Sequence, residues 1–215
     1  MSRYPPLEVK LWGDYACFTR PEMKVERVSY PLPTPSAARG MLEAIFWKPE
    51  FRWRIREIRV LQPVRWFSIL RNEVETRASE RTARSWAKTG VGGFAASKSR
   101  SQRHTLALRD VAYVITADME LATHADADPA KYRDQFRRRV RQGRCFNQPY
   151  LGCREFSAFF SEPDGSETPI PWSEDLGLML YDLVYSGDGE GSPRFFKATV
   201  NNGVLAVPAA EEVLR

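Results

Sequence analysis

The stretch TPSAARGMLEAIFWKPEFRWRIREIRV, residues 34–60, changes period in its middle and decides how the rest of the chain is read. Thr34-Pro35 is a helix start: a threonine hydroxyl accepts from the free amides of a first turn, and a proline at the first helical position has no amide to leave unsatisfied. Ala38, Met41, Leu42 and Ile45 then repeat at i, i+3, i+4 and i+7, which predicts a helix over Pro35–Trp47 that stops before Pro49. From residue 51 the period becomes two, with Phe51, Trp53 and Ile55 alternating with Arg52, Arg54 and Arg56 in a half-buried strand. The phase slips at Arg56-Glu57, after which Ile58 and Val60 continue the apolar face, so a β-bulge is expected there.

Upstream, residues 7–19 begin with Leu7, Val9 and Leu11 on one face and Glu8, Lys10 and Trp12 on the other, a strand. Downstream, a strand over 64–75 is followed by TLALRDVAYVITADMEL (105–121), a long strand with a second slip at Arg109-Asp110. Asp128-Pro129 repeats the cap-and-proline start and opens a helix to about Gln142, with Gly143 as its C-cap. That helix has a narrow apolar stripe (Tyr132, Phe136, Val140), one acid (Asp134), and Lys131, Arg133, Arg137, Arg138, Arg139 and Arg141. YLGCREFSAFF (150–160) reads as a further strand.

The order β-α-β-β-α-β predicts an α+β fold, a ferredoxin-like or RRM-like domain over residues 1–162 with a basic insertion at about 76–104. Residues 163–215 then form a small acidic antiparallel β subdomain, in which Asn202-Gly203 is a hairpin turn. A four-stranded sheet of this kind is a common RNA-binding platform.

The charge is unevenly spread. Lys and Arg number 32 and Asp and Glu 27, a net +5, but residues 145–215 carry four basic and eleven acidic residues (−7), which leaves +12 on residues 1–144. Such a surplus suits a polyanion, since each cation that neutralises a phosphate releases a counterion; a solvated basic surface is the alternative. Within the insertion Arg77, Arg81, Arg84, Lys88, Lys98, Arg100 and Arg103 face a single acid, Glu80. It reads as a mobile loop, with a short helix near Glu80–Lys88, that orders on nucleic acid, Trp86 and Phe94 supplying rings on which bases stack; a plain flexible insertion is the other reading. Arg52, Arg54 and Arg56 are a row of phosphate ligands if their strand face is open, and a solvated face otherwise. Arg137, Arg138 and Arg141 present a further basic face.

No GxxxxGK[ST], GxSxG or HExxH occurs, and three cysteines without a CxxC pair, beside two histidines, support neither a zinc site nor a disulfide framework. No metal and no cofactor is implied. The amino-terminal residues lack a signal peptide's apolar core, so neither secretion nor membrane insertion is supported and a cytoplasmic location is expected. RNA offers its own nucleophile: a 2′-hydroxyl attacks the adjacent phosphate if one group takes its proton, cations stabilise the phosphorane and another group protonates the 5′-oxygen. His104, beside Arg103 and near Arg100 at the loop exit, is the best-placed base, because neighbouring cations favour neutral imidazole; an ordinary surface histidine is the alternative. His124 is expected to be structural.

The blocks EVKLWGDYACFTRPEMKVERVSYP, TPSAARGMLEAIFWKP, QRHTLALRDVAYVI and GRCFNQPYLGCREF, in that order, resemble the type I-C (D-type) branch of the fifth CRISPR-associated protein family, Cas-five, over roughly residues 7–160. The resemblance implies metal-independent cutting of CRISPR repeat RNA at the base of its hairpin. The protein then stays on the guide RNA 5′ handle among the other subunits of the Cascade surveillance complex. It also implies a tyrosine late in the first helix, which falls on Phe46, and a lysine-histidine pair at the loop exit, which falls on Arg103-His104. Because Phe46 has no hydroxyl, either His104, Arg103 and Lys98 suffice, or Tyr30 substitutes, or the protein is a non-catalytic subunit that binds RNA and duplex DNA.

Overall fold

A computed structural model describes residues 4–23, 25–75, 79–93, 95–185 and 191–214. The chain runs β1 (Leu7–Ala16), β2 (Phe18–Thr19), β3 (Arg27–Tyr30), α1 (Pro35–Ile45), β4 (Phe51–Val60), β5 (Trp66–Val74), α2 (Glu80–Thr89), β6 (Arg100–Leu121), α3 (Pro129–Arg141), β7 (Phe159–Ser161), β8 (Glu174–Tyr185), β9 (Gly191–Asn201) and β10 (Val204–Ala206). The α+β class expected from the sequence is the one found.

Both helix starts form as read: Thr34 Oγ1 accepts from the Ala37 amide at 3.2 Å and Asp128 Oδ1 from Ala130 at 2.8 Å. Helix α1 ends two residues before the expected stop, because the chain becomes extended at Phe46 (φ −152°, ψ 112°) and turns its ring into the core. The bulge lies between Ile55 and Glu57, and the second slip is a left-handed residue, Asp110 at φ 53°. Helix α3 is followed by Gly143 at φ 62°, the conformation its C-cap reading requires.

Strand β6 organises the sheet. Its inner half lies between β1 and β4, both antiparallel to it, and β7 adds to the far edge of β1, giving the order β7-β1-β6-β4. Helices α1 and α3 cover one face of these strands, and Ile45, Phe46, Phe51, Trp53, Tyr132 and Phe136 pack between the layers. The outer half of β6 pairs with β5 as an arm, Trp66 opposite Leu108 out to Val74 opposite Arg100, and at the arm's base its other edge pairs with β3, parallel, Arg27 opposite Thr105 and Val28 opposite Leu106, with β2 beyond. Residues 100–104, expected in a mobile loop, are therefore ladder residues; a ladder with a distant strand satisfies backbone groups that local composition cannot. Residues 80–89 are helical as expected.

One further expectation changes. Residues 150–160 are not one strand: Tyr150 bridges Ser157 across a turn and only β7 is extended. Gly152 (φ 85°) brings that turn onto the Cys17 carbonyl so closely that a Cβ would overlap it. The C-terminal strands β8 and β9 form a hairpin, and Asn202 and Gly203 (φ 47° and 75°) turn the chain into β10, which pairs with β4 and so continues the main sheet. Strand β8 also crosses α1, where Arg39 clamps Asp182 with both terminal nitrogens, Nη2 at 3.0 Å from Oδ1. Among the described residues no helix is long and apolar enough to cross a membrane.

Candidate active site and nucleic-acid interface

On the arm, His104 stands opposite Leu70 and Arg103 opposite Arg71. Neighbouring strand residues project to opposite faces, so the pleat separates the two members of the expected pair. His104 is exposed, on the open face with Leu70, Leu106 and Trp66. Arg103 points to the other face, 4.0 Å from Glu26, whose carboxylate also accepts from the His104 amide. Lys98 lies in the single 3-10 turn at the arm's tip, ahead of β6.

The inner face of the arm is tightly paired. Arg71 donates to Thr105 Oγ1 (2.9 Å), Glu155 (2.6 Å) and Glu73 (2.7 Å). Arg27 lies 3.3 Å from both carboxylates and donates to Cys153 Sγ at 3.3 Å. Cys153 Sγ donates to the Cys17 carbonyl at 3.5 Å; the neighbouring Cys17 thiol lowers the Cys153 pKa against the cost of burial, with Arg27 assisting. The same neighbour, with burial, pushes Cys17 up.

Phe46 occupies a different corner, where the end of α1, the start of β4 and the start of α3 meet. Its ring is 1% exposed, 5.3 Å from Phe51, with the Arg139 guanidinium 5.2 Å above it. Arg139 also donates to the Ile45 carbonyl (3.1 Å), and Trp53 Nε1 to that of Phe46 (3.0 Å). Phe51 in turn touches Tyr132 at 5.7 Å, and Lys131 Nζ lies 5.8 Å from the Tyr132 ring centre. The Tyr132 hydroxyl donates to Asp126 at 2.8 Å, which pushes the phenol up to about 12 and holds the Asp126 carboxyl below its usual range.

Phe46 and His104 are not brought together. Phe51, against Phe46, pairs with Leu121 at one end of β6, and His104 is near the other end. At about 3.3 Å per residue, the strand between them has a contour length of roughly 55 Å. Tyr30 is 1% exposed, as Tyr132 is; Arg20 covers its ring at 4.4 Å, and its hydroxyl accepts from the Leu180 amide at 3.2 Å. The groups that do share the Phe46 corner are Lys131, Tyr132 and Asp126. In the sequence Tyr132 reads as part of an apolar stripe; its position six residues after Asp126, just inside a capped helix, is the signal that its hydroxyl has a partner.

The arginine row is neutralised across strands, Arg54 by Glu120 at 3.4 Å and Arg56 by Asp118 at 3.5 Å. Arg84 pairs with Glu80 (2.5 Å), Arg137 with Asp134 (3.8 Å) and Arg141 with Glu162 (3.3 Å). Among the described residues Arg52, Arg81, Lys88, Lys98, Arg100 and Arg138 form no such pair, and Arg77 and Phe94 lie outside them. The cations left for phosphate are thus on the arm with its tip, on α3, and at Arg52 near the start of β4.

The chain is similar over nearly its whole length to two curated proteins, each named a CRISPR pre-crRNA endoribonuclease Cas5d. That of Thermus thermophilus is 48% identical over 220 residues, covering 94% of this chain and 91% of the relative. That of Mannheimia succiniciproducens is 44% identical over 224 residues, covering 97% and 98%. Two solved structures share the fold: a CRISPR-associated protein (TM-score 0.72, 23% identity) and a functionally uncharacterized protein from Streptococcus mutans (TM-score 0.70, 22% identity), each covering 99% of this chain and 96% of its own. The sequence profile of Cas5d, a CRISPR-associated protein of the Cas5 group, matches residues 6–208, and with these relatives it establishes that the chain belongs to the Cas5d family.

Proposed function

We propose that the protein is an endoribonuclease that cuts precursor CRISPR RNA in its repeats, remains on the 5′ handle and joins the cytoplasmic Cascade complex. The observation that carries this reading is the end-to-end match to two relatives named for pre-crRNA cleavage. In the reaction the 2′-oxygen loses its proton and bonds to phosphorus as the bond from phosphorus to the 5′-oxygen breaks. That oxygen takes up a proton, leaving a 2′,3′-cyclic phosphate and a 5′-hydroxyl. The free cations of the arm and of α3 hold the RNA backbone; because phosphate contacts carry little sequence information, duplex DNA binds there too. The acidic residues 163–215, which repel RNA, act as a subdomain facing protein subunits.

Two placements of the chemistry differ in one observation. On the arm, exposed His104 would take the 2′-proton, with Arg103 and Lys98 as the cations, but Arg103 faces away from the imidazole and is held by Glu26. At the Phe46 corner Lys131 and Tyr132 lie together, the ammonium able to stabilise the phosphorane; the phenol is buried and donates to Asp126, so its hydroxyl must turn from that partner before it donates to the leaving oxygen. This contiguity favours the corner.

Labelled repeat RNA incubated with the protein in EDTA tests both. A 5′-hydroxyl product is expected, and a 2′-deoxy substitution upstream of the cut abolishes it. Loss of cutting in Lys131→Ala and Tyr132→Phe, with His104→Ala active, selects the corner; the reverse selects the arm. Tight, salt-sensitive RNA binding by the wild type without any cutting identifies a non-catalytic subunit.

A further inference from the structure

Between α1 and the loop before β7 lies a cleft of about 630 Å³ whose lining includes Trp47, Phe146, Tyr150, Asn147 and Arg154. The three rings are 54%, 70% and 40% exposed, and none makes a ring contact with another aromatic residue among the described residues. Exposed apolar side chains are usually scattered singly; here three gather round one hollow. The wall is built rather than loose: the amides of Phe146 and Asn147 both donate to the Ala44 carbonyl, at 2.8 and 3.0 Å, and Gln148 Nε2 donates to the Ala158 carbonyl at 2.8 Å. The loop is thereby fastened to the end of α1, which brings Phe146 and Trp47 to the same hollow.

The charge around the cleft suits the same occupant. Arg154 lines it and Arg144 lies two residues before Phe146; neither pairs with a carboxylate among the described residues, unlike the arginines of the sheet face. Asn147 and Gln148 offer amide donors and acceptors for a base edge. Glu43 also lines the cleft and is paired with Arg39 at 3.5 Å. Rings beside uncommitted guanidinium groups are the means by which proteins hold unstacked bases.

We infer that this cleft holds one unpaired nucleotide of a single-stranded RNA segment, its base against Trp47, Phe146 and Tyr150 and its phosphate toward Arg154. The inference rests on the reading of the protein as an RNA-processing enzyme and adds a subsite to it. A base inside a duplex cannot enter, so the cleft distinguishes single strands from duplexes, which the backbone-binding cations do not.

Gly40 makes a clean test possible. It lines the cleft from α1, and a Cβ built there meets nothing within 4 Å. Gly40→Met therefore fills the hollow while replacing a poor helix former with a good one. A single-stranded RNA oligomer carrying 2-aminopurine is titrated with the full chain in EDTA, following fluorescence and anisotropy. Wild-type protein should quench the base. Phe146→Ala, Trp47→Ala and Gly40→Met should each weaken binding about tenfold and remove the quenching, with Trp47→Phe recovering most of it. Gly40→Met should melt no lower than the wild type, and a blunt RNA duplex of equal length should bind every variant alike. Unchanged single-strand affinity in Phe146→Ala and Gly40→Met, or an equal loss for the duplex, overturns the cleft. Repeat-RNA cutting scored in the same samples separates the readings: cutting with cleft-independent binding rejects the cleft alone, and cleft-dependent binding without cutting rejects the nuclease alone.

Discussion

Replacing Phe46 by alanine asks whether the position that the family resemblance reserves for a tyrosine is here a packing residue. The ring is 1% exposed, with Phe51 at 5.3 Å on one side and the Arg139 guanidinium at 5.2 Å on another. Truncating a buried phenylalanine costs about 3–5 kcal/mol, a figure that already includes the transfer and cavity terms. The lost ring pair and cation–π contact, each about 0.5–1.5 kcal/mol, place this site in the upper half of that range, near 4 kcal/mol. For a chain of this length each kcal/mol lowers the melting temperature by about 2–4 °C, so a fall of roughly 8–16 °C is expected by calorimetry or circular dichroism. Urea unfolding with an unchanged slope should report the same loss. A cost under about 1 kcal/mol would refute the packing argument. Phe46→Tyr, which keeps the ring, completes the experiment: faster cutting of repeat RNA would show that a hydroxyl at this corner reaches the scissile phosphate.

Gly203→Ala should destabilise by about 2 kcal/mol or more in urea unfolding, since its φ of 75° is left-handed and the new Cβ would overlap the Ile170 carbonyl; a neutral effect would mean that the turn relaxes freely. Arg54→Ala should leave the salt dependence of RNA binding unchanged, because Glu120 already holds that charge at 3.4 Å, whereas Arg138→Ala should reduce the slope of log K against log salt by about 0.7–0.9. Cys153 should be alkylated by iodoacetamide with a midpoint below that of a free thiol, and Arg27→Ala should move that midpoint upward. The linkage has two signs: the lowered Cys153 pKa adds stability above the usual thiol range that is lost as pH falls through the lowered value, while the raised Cys17 pKa removes stability as pH rises above the usual thiol range. A midpoint at the usual thiol pKa would refute the Cys17 and Arg27 contacts.

What was legible in the sequence was local. Thr34-Pro35 and Asp128-Pro129 start helices because the cap and the fixed proline φ act within one turn, and the slip at Arg56-Glu57 becomes a bulge because alternation is counted along one strand. The misread elements depend on remote partners. Residues 100–104 look like an unstructured basic run until β5 supplies the other half of their ladder. The arginines at 54 and 56 look like free phosphate ligands until Glu120 and Asp118, more than sixty residues on, are found across the strand boundary. The candidate site suffered most. Motif order places Arg103 beside His104 and Phe46 in the same constellation, but the pleat divides the first two and the length of β6 removes the third. Lys131, Tyr132 and Asp126 carry no motif; they group locally, within seven residues, but meet the Phe46 corner only when α3 is laid against β4.

The pairing of β10 with β4 also bears on how the chain reaches its fold. Between Val60 and Val204 some 140 residues intervene, so during synthesis β4 exists long before the strand that covers its outer edge, and the closure is among the most sequence-distant in the sheet. Through that interval the edge amides and carbonyls of Glu57–Arg59 face solvent, a template for pairing with another nascent chain. Arg52, Arg54, Arg56 and Arg59 stud this strand, and a row of like charges repels an identical copy brought edge to edge. Until β6 brings Asp118 and Glu120 to Arg56 and Arg54, such charges discourage pairing of this edge, and variants that neutralise several of the arginines together are expected to give a lower soluble yield; an unchanged yield would refute this.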